Sequence, residues 1–256
     1  MIKPYFLWDN VLRGLSSTWS GTTVSGKAPA NATDWFDWSY FEADAGDLDY
    51  TVSADTDIDA ASIYTATNTA ATTIALKYES GVSSFTTLKT WTATSGKLTL
   101  DTFSSVTVSS GRRIRLSFSG GDINVRQLVV GEKLEAEQGQ YADMTYPTLT
   151  GGVKTSNVVS VNGSIIGRTI KRLERRGVLS LEYLSASFYR NSFEQFAQHA
   201  ARRPFIYQPN PAGRPNDVAF AAVEGGIQSP QNMAGMGDRM SMSWKLHMLV
   251  ADEYEV

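Results

Sequence analysis

The sequence predicts a mainly β protein of two domains: an N-terminal β-sandwich followed by a strand-rich α+β domain with one principal helix. Three observations carry this. Apolar residues alternate with polar ones at period two over several short segments, for example Ile74, Leu76, Tyr78 and Ile114, Leu116, Phe118. Turn-forming pairs, Ser80-Gly81, Ser95-Gly96, Ser110-Gly111 and Gly120-Gly121-Asp122, punctuate those segments. A single segment, 192–203, has helical periodicity.

Residues 1–38 read as an irregular, aromatic-rich lead-in with Trp8, Trp19, Trp35 and Trp38, able to drape its rings over the domain that follows. Residues 39–136 are the sandwich. Leu98/Leu100 and Val106/Val108 alternate like the strands above, and Arg113, Arg115 and Ser117 take the face opposite Ile114 and Leu116. Gly120-Gly121-Asp122 is expected to close a hairpin onto a strand near Val125. In that strand the apolar phase slips from Ile123/Val125 to Leu128/Val130, which calls for a β-bulge.

Residues 137–152, polar at first and ending in Pro147 and Gly151-Gly152, read as a linker. Residues 153–256 form the α+β domain. Asn162-Gly163 predicts a tight hairpin between 157–161 and 164–172, and Gly177 is expected to break the chain before a third strand at Leu179, Leu181 and Tyr183. Ser192 and Gln195 make a capping box, and Phe193, Phe196, Ala197, Ala200 and Ala201 a helical stripe that Pro204 ends. The last strand places Met240, Met242, Trp244, Leu246, Met248 and Val250 on one face.

Composition bounds the function. Apolar residues make up 42% of 256, enough for a sizeable core, and 11% are aromatic, too many for a disordered chain. There is no cysteine, which excludes disulfides and cysteine-based zinc sites. Neither a signal peptide at the N-terminus nor a run near the ~20 apolar residues of a membrane helix is present. Net charge is −3, unevenly spread: residues 1–138 hold 11 Lys and Arg against 16 Asp and Glu, the remainder 12 against 10. Such halves would attract head-to-tail in an assembly; the plainer reading is chance variation of the surface.

Catalytic patterns are absent: no metal-binding histidine pair, nucleophile elbow or phosphate loop occurs, and His199 and His247 stand alone. No catalytic residue, metal or cofactor is therefore assigned. Asp55, Asp57 and Asp59, which share parity on a strand, are glycan or Ca²⁺ candidates, although the EF-hand pattern fails at Ala60 and Ala66. The plainer reading is solvated edge-strand carboxylates. Paired acids for glycoside hydrolysis would have to face each other across a cleft, which spacing does not establish. Arg168, Lys171, Arg172, Arg175 and Arg176 are candidates for a subunit contact or the lining of a lumen through which DNA passes; the plainer reading is a solvated hairpin face.

Two stretches resemble known families. The run Arg112-Arg-Ile-Arg-Leu-Ser-Phe-Ser-Gly-Gly-Asp-Ile-Asn-Val-Arg-Gln-Leu-Val-Val-Gly-Glu-Lys-Leu resembles the closing strands of galactose-binding-like (discoidin-like) jelly rolls in phage minor structural proteins. The stretch from Val161-Asn-Gly-Ser-Ile-Ile-Gly-Arg to Arg203-Pro-Phe-Ile-Tyr-Gln-Pro resembles the distal tail proteins at the tail tips of long-tailed phages. In that family the ring domain usually comes first; here the sandwich does. The resemblance implies a non-enzymatic virion protein, assembled in the host cytoplasm into a homo-oligomeric, hexameric ring that joins tail tube to hub and fibres. It also implies a peripheral domain that takes fibres or a host glycan. The competing reading is a carbohydrate-binding adhesion module.

Overall fold

The computed structural model describes residues 3–22, 24–35, 40–65, 72–93, 98–120, 123–139, 146–147, 152–162, 164–227, 229–233 and 237–249, with the side chains of 43, 72, 93, 123, 152–156, 165 and 168–174 left aside. The chain is mostly β and divides into two compact units, one built on Tyr5–Glu135 and one on the chain from Ala136 onward.

The first unit contains β1 (Tyr5–Leu7), β2 (Ser16–Trp19), β3 (Phe41–Ala43), β4 (Gly46–Thr51), β5 (Thr56–Thr65), β6 (Thr72–Gly81), β7 (Ser84–Ala93), β8 (Leu98–Val108), β9 (Arg113–Ser119), β10 (Ile123–Gly131) and β11 (Leu134–Glu135). Two antiparallel sheets form the sandwich, one ordered β2-β4-β9-β6-β7 and the other β3-β10-β5-β8. Alternation dictates the core: Leu48 and Tyr50, Ile74 and Leu76, and Ile114, Leu116 and Phe118 face Ile58, Ile63, Val125, Leu128 and Val130, all buried.

Of residues 1–38, read from the sequence as a lead-in, the described ones from Tyr5 to Trp35 fall within this unit. Ser16–Trp19 is a strand paired with β4, and the Trp19 ring stands edge-on to Phe41 at 5.2 Å and to Phe118 at 5.8 Å. Its indole lies over Gly46, where an added Cβ would come within 2.9 Å, so a glycine is required there. Trp38 lies outside the described residues.

One expectation is corrected. β9 and β10 do not form a hairpin: β9 pairs with β4 and β6, β10 with β3 and β5 in the other sheet. Gly120, at φ 119°, supplies a backbone turn closed to other residues, and the chain crosses between sheets. The phase slip in β10 does appear as a bulge, with the register shifting between Val125 and Gln127. Ser80 and Gly81 end β6 rather than turn, and the β6–β7 turn falls at Val82-Ser83; Gly111 (φ 77°) lies in the turn before β9, and Ser95-Gly96 lies outside the described residues.

The second unit contains β12 (Gly152–Val159), β13 (Ile165–Ser185), β14 (Phe205–Gln208), β15 (Ala219–Val223), β16 (Gln231–Asn232) and β17 (Arg239–Leu249). Its strands follow the order β14-β15-β17-β13-β12, with β16 beside β17. One helix runs through Ala186–Phe188, a π-type turn over Tyr189–Phe193, and Glu194–Ala200. It lays Phe193, Phe196, Ala197 and Ala200 on the sheet, while Ala201 is exposed. Phe196 meets Phe193 at 5.0 Å, Phe205 at 4.9 Å and Trp244 at 5.8 Å. The alternation of the last strand holds, with Met242, Trp244, Leu246 and Met248 buried and Val250 outside the described residues.

Three local expectations differ here. The helix starts earlier than the Ser192 capping box implied: Ser185 is its N-cap, and its hydroxyl accepts the Phe188 amide at 3.1 Å, leaving Ser192 inside the π turn. Gly177 does not break the chain. It pairs with Leu246 in the middle of the unbroken strand β13, because the β17 ladder outweighs glycine's weak strand preference. The β12–β13 loop is closed by Ser160 and Ser164, whose backbones hydrogen-bond at 2.8 Å, so three residues rather than Asn162-Gly163 alone span it.

Candidate functional site

The strongest concentration of charge with defined geometry lies on the outer face of the five-stranded sheet. Antiparallel register sets Asp49 opposite Arg115, Thr51 opposite Arg113 and Lys77 opposite Arg115. Because Ile114 and Leu116 turn into the core, Arg113 and Arg115 must turn outward. Arg115 donates from Nε and Nη2 to the two oxygens of Asp49 at 2.6 and 2.7 Å, and from Nη1 to Asp47 at 2.9 Å. Arg113 donates from Nε and Nη2 to Glu79 at 3.0 and 3.2 Å, and from Nη1 to Asp49 at 3.1 Å. Every nitrogen of both guanidinium groups thus donates to a carboxylate, giving a ladder Glu79–Arg113–Asp49–Arg115–Asp47. Bidentate pairs of this kind hold side chains in a fixed plane.

Phe85, opposite Glu79 on β7, places its ring 3.9 Å from the Arg115 guanidinium and 5.0 Å from that of Arg113. The Glu79 carboxylate also accepts the Ser83 amide at 2.7 Å, which the turn brings inward with Ser83 at φ 59°. These bonds, that from Arg113 first, hold the Glu79 carboxyl down at about 2 despite its burial. The same hydrogen bonds raise Arg113 (through Glu79) and Arg115 (through Asp49).

The candidate aspartates Asp55, Asp57 and Asp59 lie apart from the ladder and take three separate partners. Asp55 accepts the Ser110 amide at 2.8 Å, Asp57 accepts the Thr107 hydroxyl, and Asp59 pairs with the Lys133 ammonium at 2.6 Å. Within β5, Asp57 and Asp59 keep the alternation that their spacing implied, on either side of the buried Ile58, while Asp55 precedes the strand; the register shift between Ile58 and Ala60 is taken up on β8, between their partners Val106 and Thr102. Asp57 and Asp59, with Asp9, still act on Glu132, whose carboxyl is pushed up first by burial and then by their charge. Among the described residues, no group of three or more His, Asp or Glu side chains is placed to hold a metal.

The basic run lies along β13 rather than at a turn. Arg175 donates to the Pro147 carbonyl at 2.7 Å, and Arg176 pairs with Glu224 at 3.2 Å. Arg168 and Arg172 sit opposite Asn157 and Lys154 in the backbone register; the side chains of Arg168, Lys171 and Arg172 lie outside the description. His247 is 3.8 Å from Glu224, and His199 bonds the Pro204 carbonyl at 2.9 Å. No described helix is long and apolar enough to cross a membrane.

No family model matches the sequence, and no curated protein matches it. Solved structures similar to part of the chain include CBM32-1 from a family 31 glycoside hydrolase of Clostridium perfringens (14% identity, 48% of this chain and 98% of that one, TM-score 0.42). Chitosan-binding module 1 from a chitosanase/glucanase of Paenibacillus sp. IK-5 is another (16% identity, 48% and 98%, TM-score 0.39). A pectin-binding carbohydrate-binding module gives 17% identity over 45% and 88%, with a TM-score of 0.39. Likeness at this level fixes neither a ligand nor a binding site for the present chain.

Proposed function

We propose that this chain is a non-enzymatic attachment protein whose sandwich unit binds a host-surface glycan. The observation that carries the reading is the ladder Glu79–Arg113–Asp49–Arg115–Asp47 with Phe85 beneath it. A sugar presents hydroxyls that donate and accept in close pairs. Planar carboxylates and guanidinium groups answer that pattern best when they are already immobilised, because little side-chain entropy is then lost on binding. The ladder side chains immobilise one another, and Asp47, with 38% of its side chain exposed, is the carboxylate most open to a ligand. The non-enzymatic half of the reading rests on the sequence, in which no metal-binding histidine pair, nucleophile elbow or phosphate loop occurs.

The test is retention of the full chain in gels loaded with host-surface polysaccharides, beside Asp47→Asn/Phe85→Ala. Retention by the parent, lost in a variant that still unfolds cooperatively with its melting temperature only slightly lowered, supports the reading. Retention by no glycan, or equal retention by both proteins, overturns it.

A second reading adds a particle to which the attachment unit belongs: the tail tip of a virion, with the second unit forming a ring between tube and hub as the resemblance implies. It is favoured by the length of β13, which runs ten residues past its pairing with β17. A discrete solution mass several times 28.0 kDa, and antibody labelling confined to tail tips, would support it; a monomer at every concentration and no labelling would count against it.

A further inference from the structure

We infer that the ribbon formed by β12 and the first half of β13 is a docking arm whose occupant is the sandwich unit of a second copy of this chain. β17 pairs with β13 from Arg175 to Ser185, so the stretch 165–174 has β12 as its recorded partner, and β12 has β13. A two-stranded ribbon is marginal in water, and its outer rows of amides and carbonyls invite another chain. At its end Val158, Val159, Val161 and Ile166 are exposed, Val161 completely and Ile166 at 68%. Among the described residues, only Val24, Val82 and Val178 are large exposed apolar side chains outside that tip. Residues 152–174 also carry Lys154, Arg168, Lys171 and Arg172 against a single acid, Glu174. The ribbon thus joins an exposed apolar tip to a stretch of sequence rich in cations.

The combination selects the occupant. Nucleic acid answers the cations and has no use for bare valines. A neutral apolar partner answers the valines and leaves the cations unmatched. The sandwich unit answers both demands: residues 5–135 hold 15 Asp and Glu against 10 Lys and Arg. One of its corners gathers Asp9, Asp57, Asp59 and Glu132 around Lys133, and the Glu132 carboxyl is raised there first by burial and then by its acidic neighbours. Ribbon to sandwich is a head-to-tail contact between unlike surfaces, which builds a closed ring where the rotation closes. This rests on the particle half of the proposed function and is independent of the glycan half.

The chain lacks cysteine, so Val161→Cys gives one attachment point for a short thiol-directed photo-cross-linker. The experiment mixes isotopically heavy and light full-length copies, cross-links them, and maps heavy–light peptide pairs by mass spectrometry. Solution mass is measured in parallel at low and high salt for the parent and for Val161→Ser/Ile166→Ser. The expected result is heavy–light links from position 161 into residues 5–135, a parent mass several times 28.0 kDa that falls at high salt, and a monomeric double variant with unchanged melting. Links from ribbon to ribbon, links within one copy only, a monomeric parent at low salt, or a double variant that still assembles would overturn the inference. Duplex DNA binding by a monomeric parent, unaffected in the double variant, would assign the cations to nucleic acid instead. Glycan retention by the double variant separates failure here from failure of the glycan reading.

Discussion

On the outer face of the five-stranded sheet, six guanidinium nitrogens meet three carboxylates at 2.6 to 3.2 Å. On the β12–β13 ribbon, four β-branched apolar side chains meet water. Both are strand surfaces made from alternating residues, but the first is complete within one chain and the second is not. The ladder sits above Ile114, Leu116 and Phe118, so a packed core on the other side of the same strand holds its groups in register. Among the described residues, β12 is the only strand paired with β13 over 165–174. The difference teaches where a single substitution acts: on the ladder it costs stability of the fold, on the ribbon it costs association.

The largest effect tests what the ladder stands on. Leu116 is fully buried between the outward-facing Arg115 and Ser117. Leu116→Ala is expected to destabilise the sandwich unit by about 2–5 kcal/mol in urea unfolding, the usual cost of a leucine-sized cavity. A loss under ~1 kcal/mol would mean that the ladder and not the core holds β9 in place.

Next comes the ladder itself. Glu79→Gln leaves Arg113 facing a neutral partner in a half-buried setting and is expected to cost about 1–3 kcal/mol. The pH dependence has a definite sign. The folded carboxyl titrates at about 2 against an ordinary value of 4.5. Its contribution is therefore complete above 4.5 and is lost as pH falls from there towards 2. The parent should lose stability through that window more steeply than Glu79→Gln; parallel acid limbs would show that Glu79 is not held by its partners. Asp47→Asn, at the more exposed end of the ladder, is expected to cost less than ~1 kcal/mol.

A third substitution carries the opposite sign. Tyr50 is buried in the sandwich core, and its hydroxyl has no hydrogen-bond partner among the described residues; burial pushes its ionisation far upward. Tyr50→Phe removes an unsatisfied polar atom and keeps the ring. It is expected to be neutral or to stabilise by up to about 1 kcal/mol. A clear loss would reveal a partner for that hydroxyl and place a polar group inside the core.

These positions differ in how far the sequence revealed them. Alternation assigns faces, so Ile114/Leu116/Phe118 inward and Arg113/Arg115 outward were legible, as were the bulge at the 125–128 phase slip and the Phe193, Phe196, Ala197, Ala200 stripe. Partners were not. Arg113 reaches Glu79 34 residues away and Arg115 reaches Asp49 66 away, and no local pattern encodes such a pairing. The usable signal was the alternation of Arg113 and Arg115 with Ile114 and Leu116, which puts both guanidinium groups on one face without naming their carboxylates. Local signals misled where tertiary contact won. Gly177 looked like a break until β17 paired across it, and Ser192 looked like a cap although the helix begins at Ser185. Asp57 and Asp59 keep the alternation that their spacing implied, but their partners Thr107 and Lys133 lie 50 and 74 residues away, beyond anything spacing encodes.

The smallest effect on the fold is expected at the ribbon tip, and it is the one that separates the two surfaces most cleanly. Val161 is exposed on a loop closed by the Ser160–Ser164 backbone bond, so its side chain adds nothing to any core of its own chain. Val161→Ser should leave the unfolding free energy within about 0.5 kcal/mol of the parent. The apolar surface it removes belongs to the contact between copies, where burial stabilises at roughly 25 cal/mol per Å². Sedimentation velocity is therefore expected to show the variant dissociating at concentrations where the parent stays assembled, while urea unfolding of the two at matched, dilute concentration superimposes. Loss of stability in the dilute monomer would mean that Val161 packs within its own chain. The ribbon would then be a finished surface like the ladder, and the contrast between them would fail.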